Sequence, residues 1–134
     1  MGRLVVVDGS VLVRLWDPDH PDHQATVAGI SDLRTPDTRL VVPTTALIDV
    51  LVGAHRAGPN RVRFTLKQIR DAFGTPHPID FATTTVAARL RAHHQLPTPD
   101  ALTLATGHIT RADQIITTRK ESASADERIR VIAS

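Results

Sequence analysis

The chain contains no cysteine. That excludes a disulfide framework, a thiolate metal site and a cysteine nucleophile. Tyrosine is also missing, and aromatics make up only 3% of residues, too few rings for a protein that reads single strands by stacking bases on exposed side chains. No apolar stretch approaches about 18 residues, so no membrane span is predicted. The opening Met1-Gly2-Arg3 lacks the apolar segment of a secretory signal, and a cytoplasmic location is expected. There is no P-loop or dinucleotide-binding glycine pattern, and no histidine stands near Ser10 in sequence to suggest a Ser-His-Asp triad. What is present is ordinary for a globular protein: 134 residues, 41% hydrophobic and 22% charged. These fit one domain, residues 1–134, with a sizeable core. A net charge of +2 and a sequence pI of about 9.9 permit nucleic-acid binding without identifying it. Arg56, Arg61, Arg63, Lys67 and Arg70 cluster in one segment, either as a phosphate-contacting surface or as a solvated helix face.

Apolar runs bounded by Gly or Pro read as buried strands, and 3.6-residue patterns as helices. Strands are predicted at 4–7, 40–42, 114–117 and 128–132, with a short extended piece at 77–79. Helices are predicted from Ser10, taken as N-cap, to Trp16, and then over 22–33, 43–55, 61–73, 81–94 and 100–110. In the helix over 61–73, Phe64, Ile69 and Phe73 are expected to face inward and the basic residues outward. Strands alternating with helices imply an α/β fold in which a parallel sheet lies between helical layers.

Asp8 follows Leu4-Val5-Val6-Val7 and precedes Gly9-Ser10, so its carboxylate stands where a central strand ends. In open α/β sheets ligands bind at that edge. Asp49 follows the second strand on a helix among Ala46, Leu47, Ile48 and Val50. A carboxylate in apolar surroundings is costly unless paired or bound to a cation; the polar edge of an amphipathic helix is the other reading. Asp100 follows Pro99 at a helix start, where the helix dipole favours a negative charge. Asp113 precedes a strand, at the end opposite the strand-end Thr117, and is left out of the set. Two carboxylates about 4 Å apart repel by roughly 4 kcal/mol at an effective dielectric near 20, so an acidic cluster needs protons or a hard cation. All-oxygen ligation suits Mg²⁺ or Mn²⁺, and the matching chemistry is metal-assisted phosphodiester hydrolysis. Ser10 and Thr117 can hydrogen-bond the acids or a water. A phospho-acceptor domain would also place an Asp at a strand end, but it needs a strand-end Lys, and Lys120 comes three residues after Thr117. His20 and His23 have metal-like spacing within a proline-rich turn.

Val5-Val6-Val7-Asp8-Gly9-Ser10-Val11-Leu12-Val13 resembles the opening motif of PIN-domain ribonucleases, especially the VapC-like toxins of toxin–antitoxin pairs. Residues 42–51, containing Asp49, resemble the second motif of that family. Leu96-Pro97-Thr98-Pro99-Asp100-Ala101-Leu102-Thr103-Leu104-Ala105-Thr106 is similar to the third, and Ala112-Asp113-Gln114-Ile115-Ile116-Thr117 to the fourth. The resemblance covers nearly the whole chain in order. It implies a three-layer α/β/α sandwich with a five-stranded parallel sheet and Mg²⁺-dependent cleavage of RNA. It also implies inhibition by a VapB-like antitoxin and a homodimer. Asp8 and Asp100 carry over as metal ligands, with Asp49 and Thr117 in the catalytic set and Ser10 beside the substrate. Two positions depart from the family pattern. Its second acid is usually Glu, where this chain has Asp49, and its fourth acid is replaced by Arg119, a cation that can pair with the carboxylates or contact substrate phosphate. A PIN scaffold that binds RNA or a partner without cutting is the alternative.

Overall fold

The computed structural model describes residues 2–132, so the outermost positions of the expected 1–134 domain lie outside the described residues. Strand β1 (Arg3–Val7) leads into α1 (Gly9–Leu15) and α2 (His23–Leu33). Strand β2 (Thr38–Val41) is followed by a 3₁₀ turn (Thr44–Leu47), α3 (Ile48–Ala57) and α4 (Pro59–Phe73). Then come α5 (Phe81–His94), α6 (Thr98–Thr110), β3 (Gln114–Thr117), a second 3₁₀ segment (Lys120–Ala125) and β4 (Ile129–Val131). The strand order is β2-β1-β3-β4 and every pairing is parallel.

Period-two alternation along β1 divides the core. Val5 and Val7 pack with Val11, Ile30, Val50, Ile69 and Phe73 on the α1–α4 side. Val6 packs with Ala87, Leu90, Ala101 and Leu104 on the α5–α6 side. All three valines are fully buried, as expected for a parallel strand covered on both faces. This is the expected three-layer α/β/α arrangement.

Among the described residues the sheet has four strands, where five were expected. The extended piece at 77–79 makes a single parallel bridge between His77 and Pro43. His77 N–H donates to the Val42 carbonyl at 2.8 Å, and Thr44 N–H to the His77 carbonyl at 2.9 Å. The ladder stops there because its partner runs out: Thr44 already begins a 3₁₀ turn. Pro76 and Pro78 leave the outer side without N–H donors, which suits an edge.

Other elements shift by smaller amounts. Asp8, not Ser10, caps α1, accepting a bond from Ser10 N–H. The helix expected over 43–55 is divided into the 3₁₀ turn and α3. That turn is pressed against α1: a Cβ on Gly9 would lie 3.0 Å from the Ala46 carbonyl oxygen, so a larger residue would have to push the turn back by a few tenths of an ångström. Pro59, expected in the break between helices, instead starts α4, and Gly58 makes the turn at φ 118°. On α4, Ile69 and Phe73 are buried as expected, but Phe64 is 52% exposed and Thr65 takes the inward place.

Candidate active site

Strands β1 and β3 are neighbours, while the chain leaves β1 for β2 on one side and crosses to β3 on the other. The crevice at their C-terminal ends is therefore the point where strand order reverses, the ordinary ligand site of such sheets. Asp8 and Thr117 both stand at this edge.

Asp8 is 5% exposed and is held by four donors. Oδ1 accepts from Thr103 Oγ1 at 2.6 Å. Oδ2 accepts from Ser10 Oγ at 2.6 Å, Ser10 N–H at 3.2 Å and Thr117 Oγ1 at 3.3 Å. None of these donors is charged, so they fix the orientation of the carboxylate without supplying a counter-cation. Burying it in this way is tolerable only because every donor is in place.

Asp100 lies in the first turn of α6 and is 7% exposed. Its Oδ2 accepts from Arg119 Nε at 2.9 Å and Ser122 Oγ at 2.8 Å. Asp49, in the first turn of α3, is exposed. Its apolar sequence neighbours mostly turn away from it, so the expected burial cost does not arise. Thr117 Oγ1, besides donating to Asp8, accepts from Arg119 N–H at 3.1 Å, and Thr118 N–H donates to Ser10 Oγ at 3.1 Å.

These side chains share one cleft of about 130 Å³, with Asp8, Ser10, Asp49, Asp100 and Arg119 in its lining. Asp8 and Asp100 also border a smaller space behind it, beside Thr117 and Ser122. The structure thus brings together all six residues singled out from the sequence. It adds two, Thr103 and Ser122. Thr103 stands one helical turn after Asp100 and so shares its face, a signal available in the sequence. Ser122 arrives on the second 3₁₀ segment, which no sequence pattern announces.

Among the described residues, no three His, Cys, Asp or Glu side chains are grouped as a ready-made metal cage. The donors that could hold an ion are two buried carboxylates with Asp49 across the cleft. That set fits a hard cation that keeps several waters, as Mg²⁺ does, rather than one enclosed by protein. The remaining candidates stay outside. Asp113 accepts from Leu4 N–H at 2.7 Å at the opposite end of β1. His20 Nδ1 accepts from Asp22 N–H, and His23 Nδ1 lies 2.8 Å from the Arg14 carbonyl, so both serve the turn. Among the described residues no lysine lines the cleft, which leaves the phospho-acceptor alternative without its cation.

Known structures share this architecture. A toxin–antitoxin complex from Klebsiella pneumoniae aligns with a TM-score of 0.78 at 17% identity, covering 95% of this chain and 96% of that one. VapBC2 from Rickettsia felis, bound to a DNA fragment from its promoter, gives 0.74 at 11% identity, covering 96% and 98%. The sarcin–ricin loop cleaving toxin VapC20 of Mycobacterium tuberculosis gives 0.71 at 13% identity, covering 90% and 94%. At these identities the likeness is one of fold. No curated protein matches in sequence. The PIN domain family model matches residues 5–133, and over that span, nearly the whole chain, the protein belongs to the PIN domain family.

Proposed function

We propose that this PIN domain is a divalent-metal-dependent endoribonuclease, acting in the cytoplasm as the toxin of a VapBC-type pair. The observation that carries the reading is the meeting of buried Asp8 and Asp100, 92 residues apart in the numbering, in one cleft with Asp49 on its wall. An ion bound there, Mg²⁺ or Mn²⁺, would be held by Asp8 and Asp100, with Asp49 reaching it directly or through water, and would supply Lewis-acid chemistry for phosphodiester hydrolysis. The chain's own residues do the rest. Thr103, Ser10 and Thr117 hold Asp8 in a single orientation before substrate arrives, a preorganised geometry that costs nothing at the moment of reaction. Asp49, exposed at the cleft wall, would orient a water entering from that side. Ser10 lies where a substrate phosphate would approach.

The exposed basic residues of α4 supply electrostatic attraction for RNA, single-stranded or looped. A partner has a separate surface. An apolar groove of about 740 Å³ runs between α2, α3 and α4, with Trp16, Ile30, Phe64 and Phe73 among its lining and Arg34 and Arg61 at its rim. A short amphipathic segment of an antitoxin fits such a groove, and two of the similar structures are toxin–antitoxin assemblies. A homodimer belongs to the same reading. The binding-scaffold alternative draws on Arg119, whose guanidinium is seated on Asp100, and on Asp49 in the place of a longer Glu.

The test is digestion of pooled RNA by wild type and Asp8→Asn, with and without chelator. Cleavage should vanish in the variant and in chelator. Cleavage that survives either treatment removes the metal assignment, and RNA binding by wild type without any cleavage selects the scaffold.

A further inference from the structure

The two buried carboxylates of the cleft are in different electrical states. Asp8 is satisfied by hydroxyls and one amide, all neutral. Asp100 is neutralised by Arg119, whose Nε lies 2.9 Å from Oδ2. Among the described residues Arg119 is the only cation in the cleft lining. Its backbone is anchored, since its N–H donates to Thr117 Oγ1 at 3.1 Å, so the guanidinium cannot drift from the site without a rotamer change. The same guanidinium touches a second carboxylate at the same time: Nη2 lies 3.6 Å from Glu121 Oε1, and Glu121 is exposed. An exposed ion pair contributes little, whereas a buried carboxylate left without its partner is strongly unfavourable. The Asp100 seat therefore holds the guanidinium until another cation takes over the charge.

We infer that Arg119 is a built-in counter-cation of Asp100. The cleft then admits one divalent ion, anchored on Asp8, and that ion must compete with the guanidinium for Asp100. On entry of the ion, Arg119 gives up Asp100 and keeps the Glu121 contact it already makes. This rests on the metal-nuclease reading of the same cleft.

The experiment is Mn²⁺ binding to the full chain without RNA, followed by calorimetry and by the fall in free-ion resonance signal, with folding checked by circular dichroism. Wild type and Arg119→Lys should bind one ion with similar affinity, because Lys keeps the charge. Arg119→Gln should bind at least about tenfold tighter, since the repulsion between guanidinium and ion is gone; a second bound ion in this variant also supports the proposal. Glu121→Gln, at a residue outside the cleft lining, removes the carboxylate that would retain the displaced guanidinium and should bind about threefold more weakly. It keeps the proposal testable should Arg119→Gln fail to fold. Equal or weaker affinity in folded Arg119→Gln, or two ions in wild type, overturns the counter-cation. If that binding is still abolished in Asp8→Asn, the nuclease reading stands without it. No Mn²⁺ binding in any variant overturns both.

Discussion

Asp8 ends β1, caps α1 and presents a charge to the cleft, and its four donors serve all three purposes at once. Asp8→Asn separates charge from shape. Asn caps a helix about as well as Asp, and at least one hydroxyl must turn to accept rather than donate, a cost of about 1 kcal/mol. The expected outcome is a folded protein without cleavage, read by denaturant unfolding beside an RNA digest. Thr103→Val does the converse. It keeps size and leaves Asp8 Oδ1 without its 2.6 Å donor in a buried place, so unfolding should show a destabilisation of about 1–3 kcal/mol. A change below about 0.5 kcal/mol would mean that water replaces the hydroxyl. Asp8 and Asp100 were legible in the sequence because strand and helix ends advertise themselves through Gly and Pro. Ser122 was not, since its hydroxyl matters only once residues separated by 22 positions meet.

At the scale of elements, α4 has two faces that its sequence pattern does not separate. Thr65, Ile69 and Phe73 recur every fourth residue and form the buried stripe. Phe64 falls about 100° away around the helix, so the larger ring is outside while a threonine is inside. On the outer side Arg63, Lys67 and Arg70 border a shallow groove that also touches Leu47 of the 3₁₀ turn, and residues 45 and 46 of that turn line the acidic cleft. RNA entering the cleft would pass this face. Replacing Arg63 and Arg70 with Gln should flatten the dependence of log affinity on log salt by roughly 1.4, at about 0.7 for each single-strand phosphate that is no longer neutralised. An unchanged slope would make α4 a solvated face. A second element-scale prediction concerns the joint between α6 and β4. Arg128 grips Asp126 at 2.8 and 3.0 Å and reaches the Gly107 and Ala112 carbonyls. His108 sits beside this joint, and burial, followed by the charge of Arg128, pushes its pKa below the usual 6.5, outweighing Asp126 at 3.5 Å. A histidine depressed in the folded state takes up its proton more readily when unfolded. Stability therefore falls as pH drops through 6.5 toward the folded value. His108→Gln should flatten the melting temperature across that window.

For the molecule as a whole, the apolar groove belongs to the α1–α4 layer, whereas the acidic cleft sits at the sheet edge and takes residues from α1, the first 3₁₀ turn, α3 and α6. The groove holds Trp16, the chain's single tryptophan, packed 6.3 Å from Phe73 between ring centroids. Occupation of the groove is therefore visible as a change in Trp16 emission. A small protein encoded beside this one is the partner to try first. Phe64→Glu should weaken it by about a hundredfold, the cost of removing one aromatic anchor and burying a charge. RNA cleavage by the isolated chain should be unchanged. A partner that binds the variant as well as wild type docks elsewhere.

Local chemistry alone determined the layer order and the place of the acids. Consecutive valines specify a strand buried on both faces, prolines and glycines mark where elements begin, and the carboxylates of Asp8 and Asp100 stand at such boundaries. Only the tertiary structure decided how many strands pair, because the bridge at His77 depends on where its neighbour turns away. It also decided which acid has a counter-cation. Arg119 follows Thr117 closely along the chain, yet its guanidinium reaches Asp100 on another element, and such a meeting depends on the packing of α6 against β3 rather than on any pattern of residues. Electrostatic partners across a cleft are chosen by distance in space, and that distance exists only once the chain has folded.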